Sequence, residues 1–203
     1  METHSLYDVI FRLSTLPQRL TDKQYVAKLI AALDERLTVT EHRHRYLLLN
    51  VGHISDYMYF IERGIARCFY FDDRAGREVT SVIWKEKSIV CDPVSFFQRK
   101  ATDVNIEVMP GSLLLSISYQ QLEDLYKAFP EAEVFSRCIS LQYAYYHTQR
   151  ARELTDASPW ERYLHLLSTH PGIELSLPKE IIASYLNVAP QTLAKMIRSR
   201  RHP

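Results

Sequence analysis

The sequence predicts an α+β fold, in which an antiparallel, jelly-roll-like β-roll is followed by a long helix and a small helical domain. Apolar residues change from helical spacing to short strand-like clusters near Tyr46 and return to helical spacing after Ser118. The 203 residues are 46% hydrophobic and 24% charged, which is typical of a globular protein. A chain of this length can bury two modest cores. We therefore expect two domains, residues 1–155 and 156–203.

Charge and cysteine content exclude several classes of protein. Lys and Arg number 25 against 24 Asp and Glu, so any nucleic-acid signal must be local. Cys68, Cys91 and Cys138 form no CxxC pair, which argues against a disulfide framework, a zinc site or an iron–sulfur cluster. No run of about 18 apolar residues occurs. We expect a cytoplasmic protein with no membrane partner, no metal and no other cofactor.

The β-roll is predicted after one amphipathic helix over residues 22–37, which Thr21 or Asp22 caps. Gly64, the stretch from Asp72 to Gly76, and Pro110-Gly111 supply the turns between strands. The predicted strands are Tyr46 to Val51, Tyr57 to Glu62, Ala66 to Phe71, Glu78 to Trp84, Val104 to Met109 and Leu113 to Ser118. Short strands at this spacing indicate a closed or folded antiparallel sheet.

A short helix around residues 122–127 and a long helix over about 131–154 follow the roll. The long helix has a heptad seam, and a second apolar stripe of Phe135, Ile139 and Tyr146 runs beside it. We expect one face to cover the roll and the other to form a homodimer interface. The predicted interface residues are Val134, Cys138, Leu141, Tyr145 and Thr148.

The C-terminal domain begins after residues 156–158, where Ser158 is a predicted N-cap and Pro159 opens a helix. Residues 177–198 then have the pattern of a helix-turn-helix. Ala183 is small enough for two helices to touch, and Asn187 tolerates the left-handed turn. Residues at core spacing agree with this register: Ile182, Leu186, Val188, Leu193 and Met196.

The second helix of this motif carries side chains suited to duplex DNA. Gln191 can bond bidentately to adenine, and Lys195, one turn later, can donate to guanine. Residues 179–203 contain five basic residues and one acidic residue, which favours phosphate contact. The predicted DNA-binding residues are Ala189, Pro190, Gln191, Thr192, Lys195, Arg198, Arg200 and Arg201.

The order of these elements resembles the Crp/Fnr family of bacterial transcription regulators, from about Thr21 to Arg201. The stretch Tyr59 to Arg67 resembles the opening strands and glycine turn of that family, Ser116 to Ser118 resembles the close of its roll, and Trp160 to Tyr163 resembles the start of its DNA-binding domain. The resemblance implies a non-enzymatic, sequence-specific regulator. Its implied partners are double-stranded DNA and a second copy of the chain, with RNA polymerase as a further candidate.

The resemblance fails at the family's cyclic-nucleotide pocket, where a Gly-Glu pair and an Arg-Ser pair hold the ligand. These pairs fall on Cys91-Asp92 and Thr102-Asp103, and the acidic Asp103 would repel a phosphate. Arg99 and Lys100 lie nearby and could substitute only if the loop between Ser95 and Ala101 is rebuilt. We therefore expect a degenerate effector pocket that does not bind cAMP, with the effector itself unknown.

Two alternatives from other functional classes remain open. His42 and His44, followed by His53, would suit a cupin-like metal-dependent enzyme, although no further Glu and His completes a ligand set. The other alternative is a protein-interaction module in which the helix-turn-helix has lost DNA binding. Metal analysis tests the first, and the salt dependence of duplex binding tests the second.

Overall fold

The computed structural model describes residues 5–10 and 17–201, apart from the side chain of Arg201. The chain divides into two compact units. The first unit runs as far as Ala66 and then takes Trp84–Ala144, and the second comprises Arg67–Ile83 together with Tyr145 onward. Among the described residues, no helix has the length and hydropathy that crossing a membrane requires.

In the described part of the chain, two helices precede a run of eight strands, one short helix interrupts that run, and six helices follow it. The strands are β1 (Thr38–His42), β2 (Tyr46–Leu49), β3 (Tyr57–Arg63), β4 (Ala66–Asp72), β5 (Arg77–Trp84), β6 (Ile89–Val90), β7 (Asn105–Val108) and β8 (Ser112–Ser118). The helices are α1 (Ser5–Ile10), α2 (Lys23–Asp34), α3 (Pro93–Gln98), α4 (Tyr119–Ala128), α5 (Val134–Asp156), α6 (Pro159–Thr169), α7 (Ile173–Ser176), α8 (Lys179–Tyr185) and α9 (Pro190–Arg201). Short 3-10 helices occupy Gln18–Thr21 and Pro130–Glu133.

The first unit is built on an antiparallel sheet with the strand order β1-β8-β3-β6. Alternate residues of its central strands, among them Phe60 and Leu115, share one buried core with Leu29 of α2, Leu122 of α4 and Phe135 of α5. Beside this sheet, β2 pairs antiparallel with β7. The helices therefore cover one face of the sheet, because that face is apolar at every second residue.

Gly64 sits between β3 and β4 at a position that no other residue fits. Its φ is +107°, and a Cβ built there would lie 2.6 Å from the Cβ of Ser112. Both the left-handed backbone and the close approach of β8 therefore require glycine. This confirms the predicted positive φ at this turn.

The second unit combines the β4–β5 hairpin, from Arg67 to Ile83, with the C-terminal part of α5 and helices α6–α9. Its helical core is formed by large side chains that are almost fully buried. They include Leu166, Ile173, Ile182, Leu186 and Leu193. The hairpin was predicted as part of the β domain. In the structure it belongs to the same compact unit as the C-terminal helices.

The predicted α+β class is confirmed, and the six predicted strands occur within two residues of their expected ends. Asp22 caps α2, and Ser158 forms a capping box with Glu161 at the start of α6. The long helix begins at Val134. The turn before it, at Pro130, is of the 3-10 type, because the N–H of Ala132 donates to the carbonyl of Phe129, three residues earlier. Elements that the sequence analysis missed are the short or half-exposed ones, α1, α3, α7, β1 and β6.

Candidate nucleic-acid interface

Helices α8 and α9 form the predicted helix-turn-helix. Ala183 is fully buried where they meet, and Asn187 adopts φ +52° in the turn between them. The N–H of Val188 donates to the carbonyl of Ala183 at 3.0 Å, which closes the turn before Pro190 opens α9. Sequence and backbone thus agree at each position that the motif needs.

Helix α9 presents two different faces. Leu193 is buried in the unit, whereas Gln191, Lys195 and Arg198 are exposed. Together with Ala194 and Ser199 these three line one open groove along the helix. Among the described residues, the side chains of these three make no hydrogen bond or ion pair. Their donors and acceptors are therefore available to a partner.

The other predicted contact residues surround this face. Ala189, Pro190 and Thr192 are exposed at the first turn of α9. The guanidinium of Arg200 lies 5.4 Å from the ring centroid of Trp160, which ties the end of α9 to α6 through a cation–π contact. Arg201 ends the helix, and its side chain lies outside the described residues.

Two buried arginines hold the C-terminal end of α8. Arg162 of α6 donates from Nε and Nη2 to the carbonyl of Leu186, at 3.2 and 3.0 Å, and from Nη1 to the carbonyl of Ala157 at 2.6 Å. Arg150 of α5 donates to the carbonyl of Tyr185 and stacks on its ring. Burial, followed by repulsion from Arg150, lowers the pKa of Arg162. These cations meet the negative end of the helix dipole and fix the helix before the turn.

The β4–β5 hairpin also binds the motif. The Oγ of Ser184 accepts the N–H of Thr80 at 2.8 Å and donates to the carbonyl of Glu78 at 2.9 Å. Arg77 donates to Oδ1 of Asn187 at 3.0 Å, at the turn itself. The hairpin therefore bonds to α8 and to the turn, leaving the exposed face of α9 clear.

The predicted dimer seam of α5 is exposed over only part of its length. Val134 is 8% exposed and belongs to the core of the first unit, so its side chain is not available to a partner. Cys138 packs partly against the same core. Leu141 and Tyr145 are 64% and 67% exposed, and Thr148 is exposed after them. The exposed stripe is thus Leu141, Tyr145 and Thr148.

The loop that aligns with a cyclic-nucleotide pocket satisfies its own polar groups. Asp92 caps α3 by accepting the N–H groups of Val94 and Ser95, and it accepts the hydroxyl of Thr102 at 2.7 Å. Cys91 is buried, and burial, with the charge of Asp92 second, raises the pKa of its thiol to about 12. The structure thus brings the two pairs together, and the bond from Thr102 to Asp92 joins them.

The cations of this loop differ in their commitments. Arg99 forms an ion pair with Asp56, donates to the carbonyl of Ser55 at 2.6 Å and stacks on Tyr119. Lys100 is exposed, as is Asp103. Of the two candidate substitutes for the missing phosphate ligand, Arg99 is therefore already engaged.

The histidines considered for a metal site do not converge. His42 lies on β1 with its ring 5.0 Å from that of Tyr46, and burial lowers its pKa. His44 and His53 are exposed. No group of three His, Cys, Asp or Glu side chains suited to a metal occurs among the residues that the structure describes.

Sequence reasoning missed the residues that support the helix-turn-helix, namely Arg77, Arg150, Arg162 and Ser184. Their partners are backbone carbonyls and turn atoms distant in the chain, which leave no periodic signal. One missed feature did have a signal. Asp92 followed by Pro93 is a typical N-cap and first-turn pair, and it predicts α3.

No protein-family model matches the sequence, and no curated protein matches it. Solved structures do resemble the fold. CLP, a c-di-GMP responsive global regulator from Xanthomonas campestris, is 18% identical with a TM-score of 0.67, over 86% of this chain and 91% of that one. FixK2 from Bradyrhizobium japonicum is 12% identical with a TM-score of 0.68, over 80% and 83%.

A third structure, a candidate transcriptional regulator of the crp/fnr family from Eubacterium rectale, is 16% identical with a TM-score of 0.69, over 86% of this chain and 82% of that one. The likeness extends over most of each protein, so it includes both the strands and the C-terminal helices. At these identities it concerns the fold alone. The chain has the fold of the Crp/Fnr regulators, a cyclic-nucleotide-binding-type β-roll with a C-terminal helix-turn-helix.

Proposed function

We propose that the chain is a transcriptional regulator of the Crp/Fnr type that binds specific duplex DNA through α9 and performs no catalysis. The observation that carries this proposal is the exposed stripe of Gln191, Lys195 and Arg198, whose polar groups have no partner among the described residues. Base edges in the major groove offer the acceptors and donors that these side chains lack. The fold-level likeness to CLP and to the crp/fnr-family structure from Eubacterium rectale supports the same proposal.

Salt dependence tests the proposal directly. With about six phosphate contacts per dimer, affinity for duplex falls about 10³-fold between 50 and 200 mM salt. Replacing Arg198 and Arg200 by alanine reduces the steepness of this dependence and weakens all sequences similarly. Fluorescence anisotropy with a labelled duplex measures both effects.

The matched control replaces two exposed cations of α2, Lys23 and Lys28, by alanine. This removes the same charge and is expected to leave duplex binding unchanged, because α2 belongs to the first unit. If the α2 variant weakens binding as much as the α9 variant, the contact is a non-specific effect of net charge. A duplex affinity that does not change with salt concentration favours the alternative of a protein-interaction module.

A homodimer formed through α5 is the second part of the proposal. It is supported by the exposure of Leu141 and Tyr145, which are four residues apart and share a helix face. Leu141→Glu is expected to halve the mass measured by light scattering, because two carboxylates would be buried in the seam. Gln142→Glu, on the neighbouring exposed face, should leave the mass unchanged.

The effector pocket is proposed to be degenerate, which the internal bonds of Asp92, Thr102 and Arg99 support. A cyclic phosphate would have to displace bonds that already satisfy these groups, and would meet the charges of Asp92 and Asp103. A contact with RNA polymerase stays a prediction.

A further inference from the structure

Arg77, the first residue of β5, places a cation beside the turn of the helix-turn-helix. It donates from Nη2 to Oδ1 of Asn187 at 3.0 Å and from Nη1 to the carbonyl of Val188 at 3.5 Å. Arg77 and both of these partners belong to the same compact unit. A guanidinium has five N–H donors, so most of them remain unused after these two bonds. The side chain is half-buried, which leaves part of it open to solvent.

The positive charge of Arg77 has no acidic partner among the residues that the structure describes. Three acids lie close to it in the hairpin, and two of them are engaged elsewhere. Glu78 forms an ion pair with the buried Arg67, and Asp72 caps the hairpin turn by accepting two backbone N–H groups at 2.9 and 3.2 Å. Asp73 is exposed at the tip. A guanidinium that is held by two neutral acceptors can still bind an anion through a charge-assisted hydrogen bond.

The width of the DNA groove indicates which anion this position can reach. The major groove is about 12 Å wide, and a helix with its side chains is about 10–12 Å across. A helix in the groove therefore has a row of phosphates on each side. Asn187 precedes Pro190, the first residue of α9, by three residues, so their Cα atoms are at most about 11 Å apart. The guanidinium bonded to Asn187 thus lies near the N-terminal end of α9, next to one of these rows.

We propose that Arg77 contacts a phosphate of the duplex, so that the β4–β5 hairpin forms part of the DNA-binding surface. Asn187 positions the guanidinium for this contact. The contact raises affinity without reading sequence, because every nucleotide carries the same phosphate. A residue that precedes the C-terminal helices by about 80 positions in the chain thereby contributes to binding. This inference rests on the proposed function, in which α9 binds duplex DNA.

The salt dependence of duplex binding tests the contact. The full chain is titrated onto a labelled duplex that the protein itself has selected from random sequences, and fluorescence anisotropy measures the affinity. Arg77→Gln keeps a donor for Oδ1 of Asn187 but removes the charge. We expect it to weaken binding about tenfold at a fixed salt concentration. The slope of log affinity against log salt should fall by about 0.9 for each protomer bound. A purely structural contact with the turn would survive in this variant and would leave the slope unchanged.

Two further variants separate the contact from a general effect of charge. Arg74→Gln removes the same charge from an exposed position of the same hairpin, whose side chain makes no hydrogen bond to the turn among the described residues, and should leave affinity and slope unchanged. Arg77→Lys keeps the charge and should restore most of the slope. If Arg77→Gln does not fold, Arg77→Met serves as the neutral variant.

The outcomes distinguish this inference from the proposed function. Equal slopes for the wild type and the neutral Arg77 variant overturn the inference and leave the proposed function in place. An equal loss from Arg74→Gln also overturns it, because the effect would then come from net charge. A wild-type protein that selects no duplex, or binds it without salt dependence, overturns both.

Discussion

The exposed face of α9 was predicted as a binding site and the loop from Cys91 to Asp103 as a degenerate effector pocket, and the two regions differ in what their polar groups do. Gln191, Lys195 and Arg198 have no partner in the described chain. In the loop, Asp92 accepts three hydrogen bonds from within the loop itself, and Arg99 is held by Asp56 and Ser55.

The difference teaches that ligand capacity depends on unmet hydrogen bonds. A buried polar group that lacks a protein partner destabilises the fold by about 1–3 kcal/mol. A polar side chain buried in a loop is therefore more stable when it bonds to another protein group. A side chain exposed to water is hydrated, so it has no such cost, and its polar groups can still bond to a ligand. The polar groups of the loop bond to one another, whereas those of the α9 face have no partner among the described residues.

The largest expected effect comes from breaking the loop's internal bonds. Asp92→Ala removes the cap of α3 and leaves the buried hydroxyl of Thr102 without its acceptor, so we expect a loss of about 3 kcal/mol in the free energy of unfolding. Urea denaturation measures it. The exposed Asp103→Ala should change stability by less than about 0.5 kcal/mol. Equal effects at both positions would mean that the loop is not held by Asp92.

A somewhat smaller loss is expected when the support of the open face is removed. Arg162→Ala leaves the carbonyls of Leu186 and Ala157 without their donor, which should cost about 2 kcal/mol of stability. Thermal and urea unfolding measure the loss. Arg152→Ala, at an exposed position of α5, is the control and should be nearly neutral. A neutral Arg162 variant would show that α8 is held without this contact.

Changes on the open face itself should leave stability intact and alter recognition. Gln191→Ala and Lys195→Ala are each expected to reduce discrimination at one base pair by about 1–2 kcal/mol, with unfolding free energy unchanged. Binding to a set of duplexes with single substitutions measures this. Ser199→Ala, which stays on the groove but offers little to a base, should keep the sequence preference. Uniform weakening by Gln191→Ala would assign it to the phosphates.

The smallest effect is the absence of one. A ligand at 100 times its Kd raises stability by about 2.7 kcal/mol, so binding of cAMP would be easily seen in thermal unfolding. We expect no change in Tm with millimolar cAMP. Thr102→Val, which frees Asp92, should not create binding either, because the carboxylate still repels the phosphate. A clear rise in Tm would mean that the loop does bind cAMP.

Local chemistry made most of the fold predictable. The helix-turn-helix could be placed because Ala183, Asn187 and Pro190 each have one conformational or steric reason to be there. Gly64 could be placed for the same kind of reason. The long helix was predicted correctly, but the division of its faces was not, since Val134 fits both a heptad seam and a core. Hydrophobic periodicity identifies an apolar helix face, but it does not show whether the core or a partner helix covers that face.

The site was predictable to the extent that exposure follows from helical spacing. Its supports were not, since Ser184 bonds to the backbone of Thr80 across 104 residues of sequence. The role of Asp92 as the cap of α3 was missed for a different reason. Its alignment with a ligand pair outweighed the capping signal of the following proline, although the capping signal has a direct physical cause. Local chemistry was the better guide there.

The hydrogen bonds from the β4–β5 hairpin to Ser184 and Asn187 have a consequence for protein engineering. Residues 156–203 cannot be transferred alone to another protein. The groups that bond to Ser184 and Asn187 come from an earlier stretch of the chain. A chimera that grafts these helices onto another sensor would need the host's own hairpin to offer a donor near Asn187 and a backbone pair for Ser184. Homologous exchange should therefore succeed only when both segments travel together.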